Sequence, residues 1–316
     1  MYIGIDIGGT TIKAGLVDKK CNIIIKDSIP TRARESYELF VDDIVEFSKK
    51  ITADAGYTMA DIESIGVGCP GSVDDKNGII TYANNLNLEF APLGKDISEK
   101  IGLPVYLGND ANCAALGEFF ALGDETLQNF VAITLGTGVG GGIVINRRIY
   151  TGFNGAAGEL GHIILKAGGE PCTCGRDGCW EAYASATALI RETERAAEAH
   201  PTSLLSEMIL ENGGKANGKI PFDAAKQGDK VAENVVNNYI QAVSEGIVDV
   251  INIFQPEALV IGGGISKQGD SFLNAVRDYV KGFTYGHQCN IPIGKISLAK
   301  LGNDAGIVGA ALLGIK

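Results

Sequence analysis

Residues 1–17 read MYIGIDIGGTTIKAGLV, and residues 130–145 read FVAITLGTGVGGGIVI. Each stretch is a pair of apolar, β-branched runs around a Gly/Thr turn, the pattern of a strand hairpin. The first predicts strands at Tyr2–Ile7 and Ile12–Val17 around Gly8-Gly9-Thr10-Thr11. The second predicts strands at Phe130–Leu135 and Gly142–Ile145 around Gly136-Thr137-Gly138. Backbone N–H groups and hydroxyls in such a turn suit a multiply charged anion. Asp6 stands just ahead of the first turn, where a carboxylate can hold magnesium directly or through water. Neither turn is a P-loop, because no GxxxxGK[ST] follows a strand. Taken singly, each also fits a plain glycine hairpin. Two at matching places, joined by Gly262-Gly263-Gly264, point to nucleotide phosphates, with Lys13 added on the second strand.

Working outward, a third strand is expected near Asn22–Ile29 and a helix near Tyr37–Ala55, with apolar residues at Leu39, Phe40, Ile44, Val45, Phe47 and Ile51. A strand at Ile65–Gly68, a helix at Lys95–Ile101, a strand at Val105–Leu107 and a helix at Ala111–Ala121 complete the first half. The second half repeats the plan: a long helix at Val231–Phe254, a strand at Ala258–Ile261, a helix at Ser271–Lys281, a strand at Lys295–Leu298 and a helix at Ala305–Leu313. Leu107-Gly108-Asn109-Asp110-Ala111 recurs as Leu301-Gly302-Asn303-Asp304-Ala305. Repetition of this kind marks a duplication. The second copy carries a long insertion, including a cysteine cluster and a helical stretch at Glu181–Ala199. The expected architecture is α/β with two lobes and a cleft between them. Residues 1–120 with 302–316 make the smaller lobe and 121–301 the larger.

Composition narrows the class of function. There are 27 basic and 38 acidic side chains, a net charge of −11. No basic cluster supports a nucleic-acid partner. No apolar run is long enough to cross a membrane, and the N-terminus lacks the marks of a secretory signal, so a cytoplasmic protein is expected. The first strand is read from residue 2, so no helix-turn-helix is expected ahead of it. Cys21, Cys69, Cys113 and Cys289 are scattered and read as small apolar residues.

The motifs DIGGTTIK, GNDANCAALGE, LGTGVGGG, GELGH and CTCGRDGCWE, in that order, resemble the ROK family of sugar kinases and repressors. The resemblance implies the duplicated fold of the actin/hexokinase-like ATPases, a homodimer or higher homo-oligomer, and ATP with magnesium as phosphoryl donor. It implies glucose as acceptor, with another hexose, an N-acetyl amino sugar, or a repressor role as alternatives. By the same resemblance Asp110 is the catalytic base, and Asn85, Asn109, Asp110, Glu159, His162 and Glu181 line the sugar pocket. Asn84 and Asn87 compete with Asn85 for that place. From its position alone, Asp110 also fits a helix N-cap, the role expected of its duplicate Asp304. Cys172, Cys174 and Cys179, with His162, form a Cys₃His set typical of structural zinc. Three buried thiols or an incomplete iron–sulfur site are the alternatives. Because the phosphate hairpins lie outside the insertion, loss of the metal is expected to weaken sugar binding more than nucleotide binding.

Overall fold

Strand β1 (Tyr2–Ile7) is buried along nearly its whole length, as a strand covered on both faces must be. β2 (Thr11–Val17) returns antiparallel, with Ile12 opposite Ile7 and Lys13 opposite Asp6. β3 (Ile23–Pro30) extends that side. β4 (Ser64–Cys69) and β8 (Val105–Asn109) join the other side in parallel, giving the order β3-β2-β1-β4-β8. In the computed structural model, which describes residues 1–315, this sheet belongs to the first of two compact units. That unit holds Met1–Ala132, Gly142–Gly158 and the chain from Lys300 on. Residues 121–132 and 142–158 thus fall in the first unit, whereas the sequence reading groups them with the larger lobe.

Helix α1 (Tyr37–Asp54) starts where the Ser36 hydroxyl accepts from the Leu39 N–H, and it buries Phe40, Ile44, Phe47 and Ile51 on one face. α2 (Leu93–Ile101) follows the small sheet β5-β6-β7. That sheet is built from Ser72–Asp74, Ile79–Ala83 and Leu88–Ala91, and its short, polar strands carry too little apolar periodicity to be read from sequence. α3 (Asp110–Ala121) and α10 (Ala305–Leu312) pack through glycines. A Cβ on Gly309 would stand 1.6 Å from the Cys113 carbonyl oxygen, and one on Gly66 would stand 1.7 Å from that of Ala310. No side chain fits at either place.

The second unit holds Ile133–Gly141 and Glu159–Ala299. β9 (Phe130–Leu135) and β10 (Val139–Ile145) carry the chain into it and back out, followed by β11 (Arg148–Ile149). With β12 (Ala258–Gly262) and β13 (Lys295–Leu298) they give the order β11-β10-β9-β12-β13. This repeats the first sheet strand for strand, as the duplication predicts. The expected Glu181–Ala199 helix is two helices, α4 (Glu181–Ala184) and α5 (Ala186–Ala199). Ser185 is extended between them and caps α5 through its hydroxyl. α6 (Leu204–Glu211) and α7 (Ile220–Lys226) were not foreseen; both are short. The long helix α8 (Lys230–Phe254) is capped by Asp229, and α9 (Asp270–Phe283) follows β12. Among the described residues, no helix is long and apolar enough to cross a membrane.

Candidate active site

In the first unit, β1 ends at a turn closed by the Gly8 N–H donating to the Thr11 carbonyl at 2.9 Å. Thr31 braces it, its hydroxyl donating to the Gly8 carbonyl at 2.8 Å. Asp6 is partly buried. Burial raises its pKa above the usual carboxylate value, while Lys13 pulls it back. A half-buried carboxylate ahead of a phosphate-type turn suits a divalent cation. Asn85 is the asparagine beside this turn, its Cβ 3.6 Å from where a Cβ on Gly9 would be. Asn84 and Asn87 instead line a separate cavity of about 300 Å³ with Tyr82 and Glu89.

Asp110 is not the N-cap. Asn109 is: its side-chain oxygen accepts from the Asn112 N–H at 3.1 Å, and its amide donates to the Gly71 carbonyl, also at 3.1 Å. Asp110 therefore occupies the first turn of α3, where the helix dipole favours the charged carboxylate. Its Oδ1 accepts from the Ala111 N–H at 2.8 Å. The duplicate behaves differently. Asp304 stands ahead of α10 but makes no side-chain cap bond; its carboxylate pairs with Lys26 Nζ at 2.6 Å. The expected capping role of Asp304 is not observed, because a 3₁₀ turn at Gly302–Asp304 gives it helical rather than extended backbone. That turn is held by Glu118, a buried residue whose role was not foreseen. Its carboxylate accepts from the backbone N–H groups of Lys300, Leu301 and Gly302 at 2.7, 2.8 and 3.2 Å.

In the second unit, the turn Gly136-Thr137-Gly138 closes through the Gly136 N–H donating to the Gly138 carbonyl at 3.0 Å. Gly262–Gly264 lies beside it, since a Cβ on Gly263 would stand 2.3 Å from the Leu135 carbonyl oxygen. Glu159 is exposed and precedes the 3₁₀ turn Leu160–His162, which rests on β10 where Gly161 meets the Val139 carbonyl. Glu181 opens α4. One of its oxygens, Oε2, accepts from the Val139 N–H at 2.9 Å; the other, Oε1, accepts from the Thr173 hydroxyl at 3.3 Å.

His162, Cys172, Cys174 and Cys179 come together, with one ligand atom from each lying within 4.8 Å of all the others. His162 Nδ1 is 3.6 Å from Cys172 Sγ, and Cys174 Sγ is 3.6 Å from Cys179 Sγ. Two thiolates on one tetrahedral zinc, at ~2.3 Å each, stand about 3.8 Å apart. The donor set and its spacing fit such an ion. Burial pushes the Cys179 thiol up to about 12, while the Arg176 backbone N–H holds Cys174 down; a bound cation would draw the protons off both. Trp180 fixes the loop. It is wholly buried, its indole N–H donates to the Ala242 carbonyl at 2.8 Å, and only a glycine at position 246 of α8 leaves room for its ring. The chain's single tryptophan next to Cys179 was the available signal for this anchor; nothing marked Gly246. Of the scattered cysteines, Cys69 and Cys113 are buried, and burial raises both thiols well above their ordinary value. Cys289 is exposed, so the small-apolar reading fails there.

The insertion is not separate from the Gly136–Gly138 turn. Besides the Glu181 bond to Val139, the Ala186 N–H donates to the Gly136 carbonyl at 2.7 Å and the Thr187 hydroxyl to the Thr137 carbonyl at 2.8 Å. The second hairpin, though outside the insertion in sequence, is thus hydrogen-bonded to it.

Comparison with known proteins agrees with these motifs. The ROK family profile matches residues 2–316. A glucokinase of Halalkalibacterium halodurans is 37% identical over 313 residues, covering 99% of this chain and 94% of its own. One from Streptomyces coelicolor is 38% identical over 315 residues, covering 98% and 96%. The crystal structure of a ROK family glucokinase from Streptomyces griseus, in complex with glucose and AMPPNP, superposes with a TM-score of 0.77 at 37% identity, covering 99% of this chain and 98% of that one. With the order of motifs, the full-length match and the shared fold in agreement, this chain belongs to the ROK family.

Proposed function

We propose that this chain is an ATP-dependent hexose kinase that transfers the γ-phosphoryl group of ATP to glucose, at its 6-hydroxyl. The observation that carries the reading is the placing of Asp110: Asn109 caps α3, and Asp110 stands in its first turn rather than serving as the cap. Phosphoryl transfer needs a positioned donor, a group to take the acceptor proton, and electrostatic support; little else is covalent work for the protein. Asp110 accepts the proton of the 6-hydroxyl as its oxygen attacks the γ-phosphorus and the bond to the departing ADP breaks. The Gly8–Thr11 and Gly136–Gly138 turns, with Lys13 and Gly262–Gly264, hold the nucleotide phosphates through backbone N–H groups and hydroxyls. Asp6 would hold the magnesium that accompanies ATP and offsets its phosphate charge.

Asn85, Asn109, Asp110, Glu159, His162 and Glu181 serve the sugar hydroxyls on this reading. Carboxylates and imidazole are suited to that task. His162, Cys172, Cys174 and Cys179 would hold a zinc ion whose four positions are filled by protein, so its part is structural. His162 would bind the ion through Nδ1 and keep Nε2 for the sugar.

A coupled assay of ADP release over a panel of hexoses tests the reading. Glucose is expected to lead, with 2-deoxy and other ring-deoxy forms weaker because each leaves a group that the bound sugar covers without its partner, at about 1–3 kcal/mol per group. No ADP release with any hexose would end the proposal. Elemental analysis of the same protein should find one zinc per chain; a fully active, metal-free protein would refute the zinc assignment.

A further inference from the structure

Glu181 divides its two oxygens between two structures. Oε2 takes the Val139 N–H, the first residue after the phosphate turn. Oε1 takes the Thr173 hydroxyl and lies 3.7 Å from Cys172 Sγ, in the bend that carries two metal-ligand candidates. A Cβ at position 138 would stand 2.3 Å from Oε2, so a side chain there would have to push the Glu181 carboxylate aside. What a side chain here would meet is the neighbouring carboxylate, not a backbone restriction, since Gly138 does not have a positive φ. The remaining bonds from α5 to the turn, at the Gly136 and Thr137 carbonyls, leave its shape dependent on the α4–α5 segment.

We propose that Glu181 is a positioning residue for the nucleotide: its Oε2 sets the Gly136–Val139 turn, and the cysteine loop, through Oε1, sets Glu181. Order in the metal loop is thereby converted into affinity for nucleotide, with or without sugar. This rests on the reading of Gly136–Gly138 as a nucleotide turn. Charge-assisted bonds to backbone N–H groups are among the stronger ones, so one such acceptor can hold a turn of three residues.

The test is titration of a non-hydrolysable ATP analogue, with no sugar present, into intact protein. Glu181→Ala is expected to weaken binding about tenfold, while Glu181→Gln, whose amide oxygen can still accept from Val139, stays within about twofold of wild type. Gly138→Ala reaches the same contact without altering Glu181 and is expected to lose about tenfold as well. Combined with Glu181→Ala it should cost nothing more, because the added methyl then meets open space; contacting residues are non-additive in this way. Removing zinc from wild type with a zinc-selective chelator, magnesium kept in excess, should weaken the analogue, and the same treatment of Glu181→Ala should not weaken it further. Melting temperatures of each variant show that the fold is kept. An unchanged affinity in Glu181→Ala, or full additivity of the two substitutions, overturns the inference while leaving the kinase reading intact. Failure of wild type to bind the analogue overturns both.

Discussion

Two copies of one pentapeptide, Leu-Gly-Asn-Asp-Ala, stand in the first unit and do different things. At 107–111 the segment ends a strand; Asn109 caps α3 and is tethered to Gly71. At 301–305 it is a 3₁₀ turn strapped by Glu118, with Asp304 turned to Lys26. Identical residues thus yield a helix-start carboxylate in one place and a surface ion pair in the other. The difference comes from what receives each segment. A β-strand delivers Asn109 in the extended conformation a cap needs, whereas the three backbone N–H groups bound to Glu118 fold residues 300–302 back on α3. A motif states which chemistry is available; its surroundings decide whether it is used.

Several substitutions sharpen that contrast. The largest effect is expected from Asp110→Asn, which keeps shape and removes the base: turnover should fall at least about a hundredfold, with melting temperature and sugar binding nearly unchanged. Turnover near wild type would make Asp110 the structural equal of Asp304. Glu118→Ala comes next. It leaves three part-buried backbone donors without their acceptor and should cost about 1–3 kcal/mol in denaturant unfolding; a loss below about 0.5 kcal/mol would show that the second copy holds its turn unaided.

Asp6 offers a pH test of the first hairpin. Burial raises its folded pKa above the ordinary value of 3.8, so the folded state holds its proton to higher pH than the unfolded chain does. The sign follows: stability from this group is greatest below 3.8 and is lost as pH rises through the folded pKa. Asp6→Asn should therefore melt higher than wild type at pH 7, the gap closing on acidification, while phosphoryl transfer falls. A gap that is constant with pH would remove ionisation of Asp6 from the account. The smallest effect belongs to Asp304→Asn. The Lys26 pair is solvent-exposed, and such pairs contribute about 0–1 kcal/mol, so turnover should stay within about twofold.

Much of this was legible in the sequence. Runs rich in β-branched residues placed β1, β9 and β12, and the repeat of hairpin, late strand and LGNDA segment marked the duplication seen in the two sheets. The cysteine cluster was visible from ligand chemistry and spacing, including the contribution of His162. What was not legible depends on contacts between distant residues. That Asn109 rather than Asp110 is the cap depends on side-chain geometry one residue wide. The roles of Glu118 and of Gly246 beneath Trp180 are created by packing partners far along the chain. The bond from Glu181 to Val139 joins an insertion to a repeat, and neither segment announces the other.

The most direct test of the central claim is to identify the product. Wild-type protein incubated with ATP and uniformly ¹³C-labelled glucose, followed by ³¹P and ¹³C NMR, should show one phosphate ester with phosphorus–carbon coupling at C6, formed in step with ADP. Phosphate on another hydroxyl, or ADP and free phosphate with unmodified glucose, would contradict it.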